Sequence, residues 1–285
     1  MHRLLGMSYS GLTSAALLFA LAFVGAAGPA LAVDGVIEID QTRALAGGIS
    51  PGDTPGFPVS LTVPGSYRLT GELDVRGEPA AEDVTAIEIL ASFVVLDLNG
   101  FSLVGPTVCT GSPVTSCAPL GAGDGIDSRD HNFVRITNGS VRGFGDAGID
   151  GGNATVERVQ AFGNGRRGIA LHNGGLVTRS VAGGNGTRGI MGLGILVDSS
   201  RALENGTAGI HADHGEVRDC EAVHNGAAGI TVLDGLAIGN VSRDNRGAAL
   251  VATRSGYTLN NASGSTTITG GTSLGRNLCN AALCP

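Results

Sequence analysis

The phrase N-G-x-x-G-I returns at residues 164–169, 185–190, 205–210 and 225–230, with a degraded copy, N-R-G-A-A-L, at 245–250. Successive copies begin 21, 20, 20 and 20 residues apart. Two earlier pairs, Gly125-Ile126 and Gly148-Ile149, carry the ladder backwards through slightly longer coils. A period of this length restricts the chain to repeat architectures. A unit of about 20 residues cannot bury an apolar face by itself and must stack on its neighbours.

Counting back from each Asn shows what the coils bury. Eight residues before stand Val156, Val177, Val197, Val217 and Ala237; five before, Val159, Ser180, Ser200, Cys220 and Asn240; three before, Ala161, Ala182, Ala202, Ala222 and Ser242. Charged residues such as Glu157, Arg158, Arg179, Arg218 and Asp219 lie between them. Alternation over a few residues and then a turn predicts short strands with one face inward. A second strand follows each Asn-Gly turn, with Ile169, Ile190, Ile210 and Ile230 inside. Asn with Gly predicts turns that tolerate positive φ and amides that stack along the axis. Cys220 falls in a small column and is expected to be a buried, inert thiol. A leucine-rich horseshoe is rejected because its columns want Leu, and a left-handed helix because no six-residue period exists. The expected fold is all-β: a single-stranded right-handed parallel β-helix of about 20–21 residues per coil, with N- and C-terminal caps.

Around this body the chain divides into four parts. Arg3, an apolar run over about 12–27, Gly28-Pro29 and an A-x-A site at 30–32 predict a secretory signal peptide over 1–32. Residues 33–83, rich in Pro-Gly turns, are expected to form an N-terminal cap and the first strands. The β-helix is expected over 84–262, and a C-terminal cap and tail over 263–285. A loop near 105–123 is expected to project from the tube. In an oxidising compartment the cysteine spacing predicts two local disulfides, Cys109–Cys117 on that loop and Cys279–Cys284 on the tail. Without Arg3 the exported part carries a net charge of about −8. That balance argues against nucleic acid and against an anionic membrane surface. All basic residues are Arg, which excludes lysine chemistry.

The N-G-x-x-G-I ladder, the strand L-D-L-N-G-F-S-L at 96–103 and the entry G-S-Y-R-L-T-G at 65–71 resemble bacterial exported parallel β-helix repeat proteins of the pectate-lyase-like superfamily. The resemblance covers nearly the whole exported chain. It implies a monomer and, as partner, a polysaccharide bound on an outward sheet face. The superfamily's activities are diverse, and fold analogy does not choose among them. No G-H-G signature of the polygalacturonase-like hydrolases occurs, nor a D-P-H-E signature of the alginate epimerases. Trp is absent, Tyr67 and Tyr257 are the only tyrosines after the leader, and Phe133, Phe144 and Phe162 are assigned to the core. No aromatic platform for sugar rings is expected.

Strand alternation after each Gly-Ile pair places Asp127, Asp150, Ala170, Met191, His211 and Thr231 outward, and two residues further on Arg129, Gly152, His172, Leu193, Asp213 and Leu233. The polar members crowd the early coils. Asp127 and Asp150, with Arg129, are the candidate catalytic residues, because stacked carboxylates can divide acid and base roles and Arg can pair with a uronate. Asp130, His131, His172, His211 and Asp213 are candidate substrate contacts. Asp124, Asp127, Asp146 and Asp150 form a candidate calcium set, although no cofactor is required. His211, Asp213 and His214, with His172 two coils away, form a second patch able to hold a metal or move protons. The rival reading is a non-catalytic exported scaffold, which the almost insertion-free later coils suit equally well.

Overall fold

Each regular coil from residue 167 on supplies three short strands, whereas the two coils before run the second and third together as Val134–Arg142 and Ala154–Phe162. Successive coils pair in parallel and in register. The computed structural model describes residues 35–264 and 266–284; the leader expected over 1–32 lies outside the described residues. Ile126, Ile149, Ile169, Ile190, Ile210, Ile230 and Leu250 are consecutive register partners in a ten-stranded parallel sheet, the Ile face. Val156, Val177, Val197, Val217 and Ala237 form the second inward column. Ala161, Ala182, Ala202, Ala222 and Ser242 form the third. All three columns are buried. β-Branched residues fill the wide faces and Ala the narrow one, and each buried Ile or Val contributes about 1.5–3 kcal/mol. The chain is a parallel β-solenoid, as the repeat predicts.

Polar columns hold the corners. Asn164, Asn185, Asn205, Asn225 and Asn245 are buried. Each Nδ2 donates to the Oδ1 of the next Asn at 2.9–3.0 Å. Each Oδ1 also accepts from the backbone N–H of the preceding Asn. The Cys220 column makes a second ladder: Ser180 and Ser200 Oγ, then Asn240, Asn260 and Asn277 Oδ1, accept backbone N–H groups from the coil before. Burial pushes the Cys220 thiol up to about 12, which keeps it protonated and inert.

The glycines of the repeat act differently from expectation. Positive φ falls on the residue before each Asn (Gly163, Gly184, Glu204, His224 and Asp244), not on the Asn-Gly pair. Gly165, Gly186, Gly206 and Gly226 are required by close approach instead: a Cβ on any of them would overlap the carbonyl oxygen of the corner glycine one coil earlier.

Those bare corners also explain a second correction. The 105–123 loop does not project. Its strands Val108–Gly111 and Val114–Ala118 form an antiparallel hairpin, joined by the Cys109–Cys117 disulfide. The hairpin lies along the glycine corners, with Val114 buried and its N–H donating to Glu204 O at 3.0 Å. At the N-terminal end Val36–Ile39 already pairs in parallel with Gly65–Leu69, followed by the short helix Gln41–Ala46. At the other end Leu278–Cys279 continues the ladder before the antiparallel Ala282–Leu283 and the Cys279–Cys284 disulfide. Phe144 is in the core, but Phe133 and Phe162 are 62% and 36% exposed, which corrects their assignment to it. No helix among the described residues is long and apolar enough to cross a membrane.

Candidate functional site

The outward side of the Ile face is apolar or neutral over much of its length and strongly charged in its early coils. Asp127 and Asp150 are register partners on adjacent strands, Ile126–Ser128 and Ala147–Gly151. Asp124 and Asp146 precede those strands. Arg129 draws three of the four together: it holds Asp127 through two nitrogens, Nη2 at 2.6 Å and Nε at 3.1 Å. It also lies 3.7 Å from Asp124 and 3.9 Å from Asp150. Arg167, one coil on, lies 3.0 Å from Asp146 and 3.5 Å from Asp150. His172 completes the group, with Nε2 2.5 Å from Asp150 Oδ1. Its place is therefore in this cluster, not with His211 and His214.

Exposure sorts these side chains into those that reach a ligand and those that position others. Asp124 and Asp150 are 1% exposed, whereas Asp127, His172 and Arg129 are 20%, 39% and 48% exposed. Asp150 stands on the outward side of its strand but is covered by Arg129, Arg167 and His172. A group so covered does not touch a polymer; it orients the imidazole above it. Burial acts to raise the Asp127 carboxyl, but the Arg129 guanidinium outweighs it and holds the group below the usual range. Asp130 is exposed and His131 half-buried, and neither side chain makes a hydrogen bond or ion pair among the described residues.

Asp124 is the unusual member. Burial, partly offset by the Ala147 N–H donating to Oδ1 at 2.9 Å, pushes its carboxyl up to about 7, and the charges of Asp150 and Asp146 add to the rise. The folded chain thus holds a proton that the unfolded chain releases near pH 4. Stability from this group is full below about pH 4, falls as pH rises to about 7, and is level beyond. The loss is on the order of 4 kcal/mol. Asp124→Asn keeps the acceptor for Ala147 and carries no charge. Its melting temperature should match that of the parent at pH 4 and exceed it at pH 8; parallel curves over that range would refute the assignment.

The four carboxylates Asp124, Asp127, Asp146 and Asp150 lie close together, as a calcium set would require. Asp146 Oδ1 and Asp150 Oδ2 are buried without a hydrogen bond, which would suit a cation. However, Arg129 and Arg167 already occupy the space between the carboxylates, and both oxygens of Asp127 are bound. Ca²⁺ takes six to eight oxygens and would have to expel two guanidiniums. The residues present do not fit it.

The second patch divides at a turn. His211 is in the strand Ile210–Asp213, and His214 is the corner residue at φ 50°. Burial, then the charge of Arg188, holds the His211 imidazole below its usual range, against the pull of Asp213. Asp213, His214 and Asp234 bring donor atoms within 4.8 Å of one another, but Arg254 clamps Asp234 with two nitrogens.

Sequence reasoning missed two features. Arg167 occupies an x position of N-G-x-x-G-I, and aligning those positions as columns would have exposed it. Phe93 and Phe133 stack with centroids 5.0 Å apart and planes at 12°, both more than 60% exposed, where the Ile face turns beyond Arg129. Both have positive φ, which bulky residues rarely adopt, so nothing in their local pattern announced the corner.

No protein-family model matches the chain, and no curated protein does. Solved structures do. The Dettilon tailspike protein is similar at 13% identity over 78% of this chain and 52% of its own, with a TM-score of 0.50. The enzymatically active domain of bacteriophage CBA120 tailspike protein 2 is similar at 16% identity over 78% and 40%, TM-score 0.50. The periplasmic alginate epimerase AlgG is similar at 13% identity over 74% and 63%, TM-score 0.45. The chain spans less than two thirds of each of these proteins. At such identities the likeness to the two tailspike proteins is one of fold, and with the parallel ladder of the chain itself it defines the class: a parallel β-helix protein. Within that class this chain is marked by a carboxylate–arginine–histidine cluster on its outward Ile face, in which Asp124 and Asp150 are buried and Arg129 and His172 reach solvent.

Proposed function

We propose that the chain is an exported protein that binds a polysaccharide across the early coils of the Ile face and processes it there, as a lyase or a glycoside hydrolase does. The Asp150–His172 pair carries this reading. A buried carboxylate holds one imidazole nitrogen while the ring stays open to solvent, the arrangement that orients a general acid or base. Asp127, held by Arg129, is the carboxylate within reach of a bound sugar, and the exposed Phe93–Phe133 stack offers an apolar surface for a pyranose ring. Two disulfides support an oxidising compartment, and the compact solenoid is read as a monomer.

The test is an assay of purified protein on acidic and neutral polysaccharides, following new reducing ends and the absorbance of unsaturated uronates, with Ca²⁺ and with chelator. Cleavage is expected, unchanged by chelator, and at least about 100-fold slower in His172→Ala. Full activity in that variant would remove His172 from the chemistry. One observation favours a non-catalytic scaffold instead: beyond His211 the outward column is Thr231, Val251 and Thr269, with no chemistry to offer. Silence across the whole panel would establish that alternative.

A further inference from the structure

Beyond the Asp150–His172 pair the repeat stacks like charges. Arg167 and Arg188 occupy the same position on adjacent coils, with the Gly168 N–H donating to Arg188 O. Cations so placed repel unless something neutralises them. Arg167 has Asp146 and Asp150. The Arg188 guanidinium makes no ion pair with a carboxylate among the described residues, and its side-chain hydrogen bond is to Met191 Sδ at 3.8 Å. It lines a cavity of about 430 Å³ with Arg166, Arg167, Thr187, Met191 and Thr207. A second cavity, about 560 Å³, shares Arg166 and Thr187 and runs on beneath the disulfide hairpin along Thr115 and Ser116.

The charge here opposes that of the whole molecule. The chain carries a net −7, yet three guanidiniums converge on this trough. Arg166 and Arg167 share Asp146, leaving Arg188 uncompensated. The field it projects contributes to holding down the neighbouring His211 imidazole. The Thr207 hydroxyl is exposed and makes no hydrogen bond among the described residues, so a donor stands beside the cation. Arg188 is one coil on from His172 along the axis, but it precedes the strand Ile190–Leu193 whereas His172 follows Arg167–Leu171. The two therefore stand at opposite ends of the Ile-face strands, about 16 Å apart along the strand direction at the backbone.

We infer that this trough is a subsite for an anionic substituent of the polysaccharide, a carboxylate or a sulfate ester, with Arg188 as its cation and Thr207 as an auxiliary donor. The inference rests on the polysaccharide reading and gives it a substrate class. A chain lying obliquely across the Ile face places its charged group on Arg188 while another sugar of the same chain sits at His172. The hairpin walls the adjoining cavity, and a guanidinium holds a planar carboxylate or a sulfate with two donors.

The experiment measures affinity for polygalacturonate, dextran sulfate and unmodified dextran by calorimetry. It compares the parent with Arg188→Gln, Arg188→Lys and a control, Arg246→Gln, which removes an exposed arginine at the far end of the ladder. Arg188→Gln should weaken the polyanion bound by the parent at least tenfold, Arg188→Lys should recover part of the loss, and Arg246→Gln should change nothing. A loss confined to polygalacturonate assigns the carboxylate; one confined to dextran sulfate assigns the sulfate. Unmodified dextran bound as tightly as the polyanions, or equal losses in the Arg188 and Arg246 variants, overturns the subsite while leaving the polysaccharide reading standing. If the parent binds none of the three polymers, both fail.

Discussion

Asn205→Ala should lower the melting temperature of this protein by roughly 10 °C or more. The side chain is fully buried in the middle of the Asn ladder. Its Nδ2 donates to Asn225 Oδ1 at 3.0 Å and to Ala182 O at 3.1 Å, and its Oδ1 accepts from both Nδ2 and backbone N–H of Asn185. Truncation removes four buried hydrogen bonds: the Asn185 N–H loses its partner, Asn185 Nδ2 and Asn225 Oδ1 each keep one bond of two, and Ala182 O loses a donor. Each buried bond so lost costs about 1–3 kcal/mol, so the total is on the order of 4 kcal/mol. In a domain of this size 1 kcal/mol corresponds to about 2–4 °C. Because coils contact only their neighbours, the variant should also unfold less cooperatively, with two transitions by circular dichroism or calorimetry. Asn153→Ala is the control, since Asn153 makes a single hydrogen bond at the surface, to Asn173 O at 3.3 Å. Equal melting temperatures for the two variants would show that the ladder does not bear the stability assigned to it.

Two glycines two residues apart should behave oppositely. Gly184 has φ 61° and open space around its missing Cβ, so Gly184→Ala should cost about 1 kcal/mol, the penalty of a left-handed Ala. Gly186 has no positive φ, but a Cβ there would overlap the Gly165 carbonyl oxygen and come within 3.0 Å of Cys117 Sγ. Neither neighbour can yield: one is backbone in the adjacent coil and the other is held in the hairpin disulfide. Gly186→Ala should therefore cost several kcal/mol, about 3 or more, by forcing two coils apart and lifting the hairpin. Chemical denaturation of both variants settles the order. If Gly184→Ala proved the more damaging, turn conformation and not coil spacing would be what the repeat's glycines serve.

The period, the strand columns and the Asn ladder were legible in the sequence because they repeat locally. A side chain that recurs every 20 residues in a solenoid meets its own copies, so spacing alone predicts its partners. That is why the Ile, Val and Ala columns and the buried Cys220 follow from counting; the two disulfides follow instead from the short spacing within each cysteine pair. The site is legible only in part. Counting placed Asp127 opposite Asp150, yet not the covering of Asp150, because that depends on where the long side chains of Arg129, Arg167 and His172 come to rest. The hairpin escaped for a related reason: its partners, the bare corners at Gly165, Gly186 and Gly206, lie some 50 to 90 residues away, and no repeat links them to residues 108–118. Phe133 reads as a core residue by type, yet it forms a surface stack with Phe93 because both stand at corners with positive φ that turn them outward. Repetition, then, determined the backbone and its interior, where identical neighbours impose identical answers. The tertiary structure alone decided the charged cluster, the hairpin wall and the arginine trough, which arise where the coils differ and distant side chains compete for the same space.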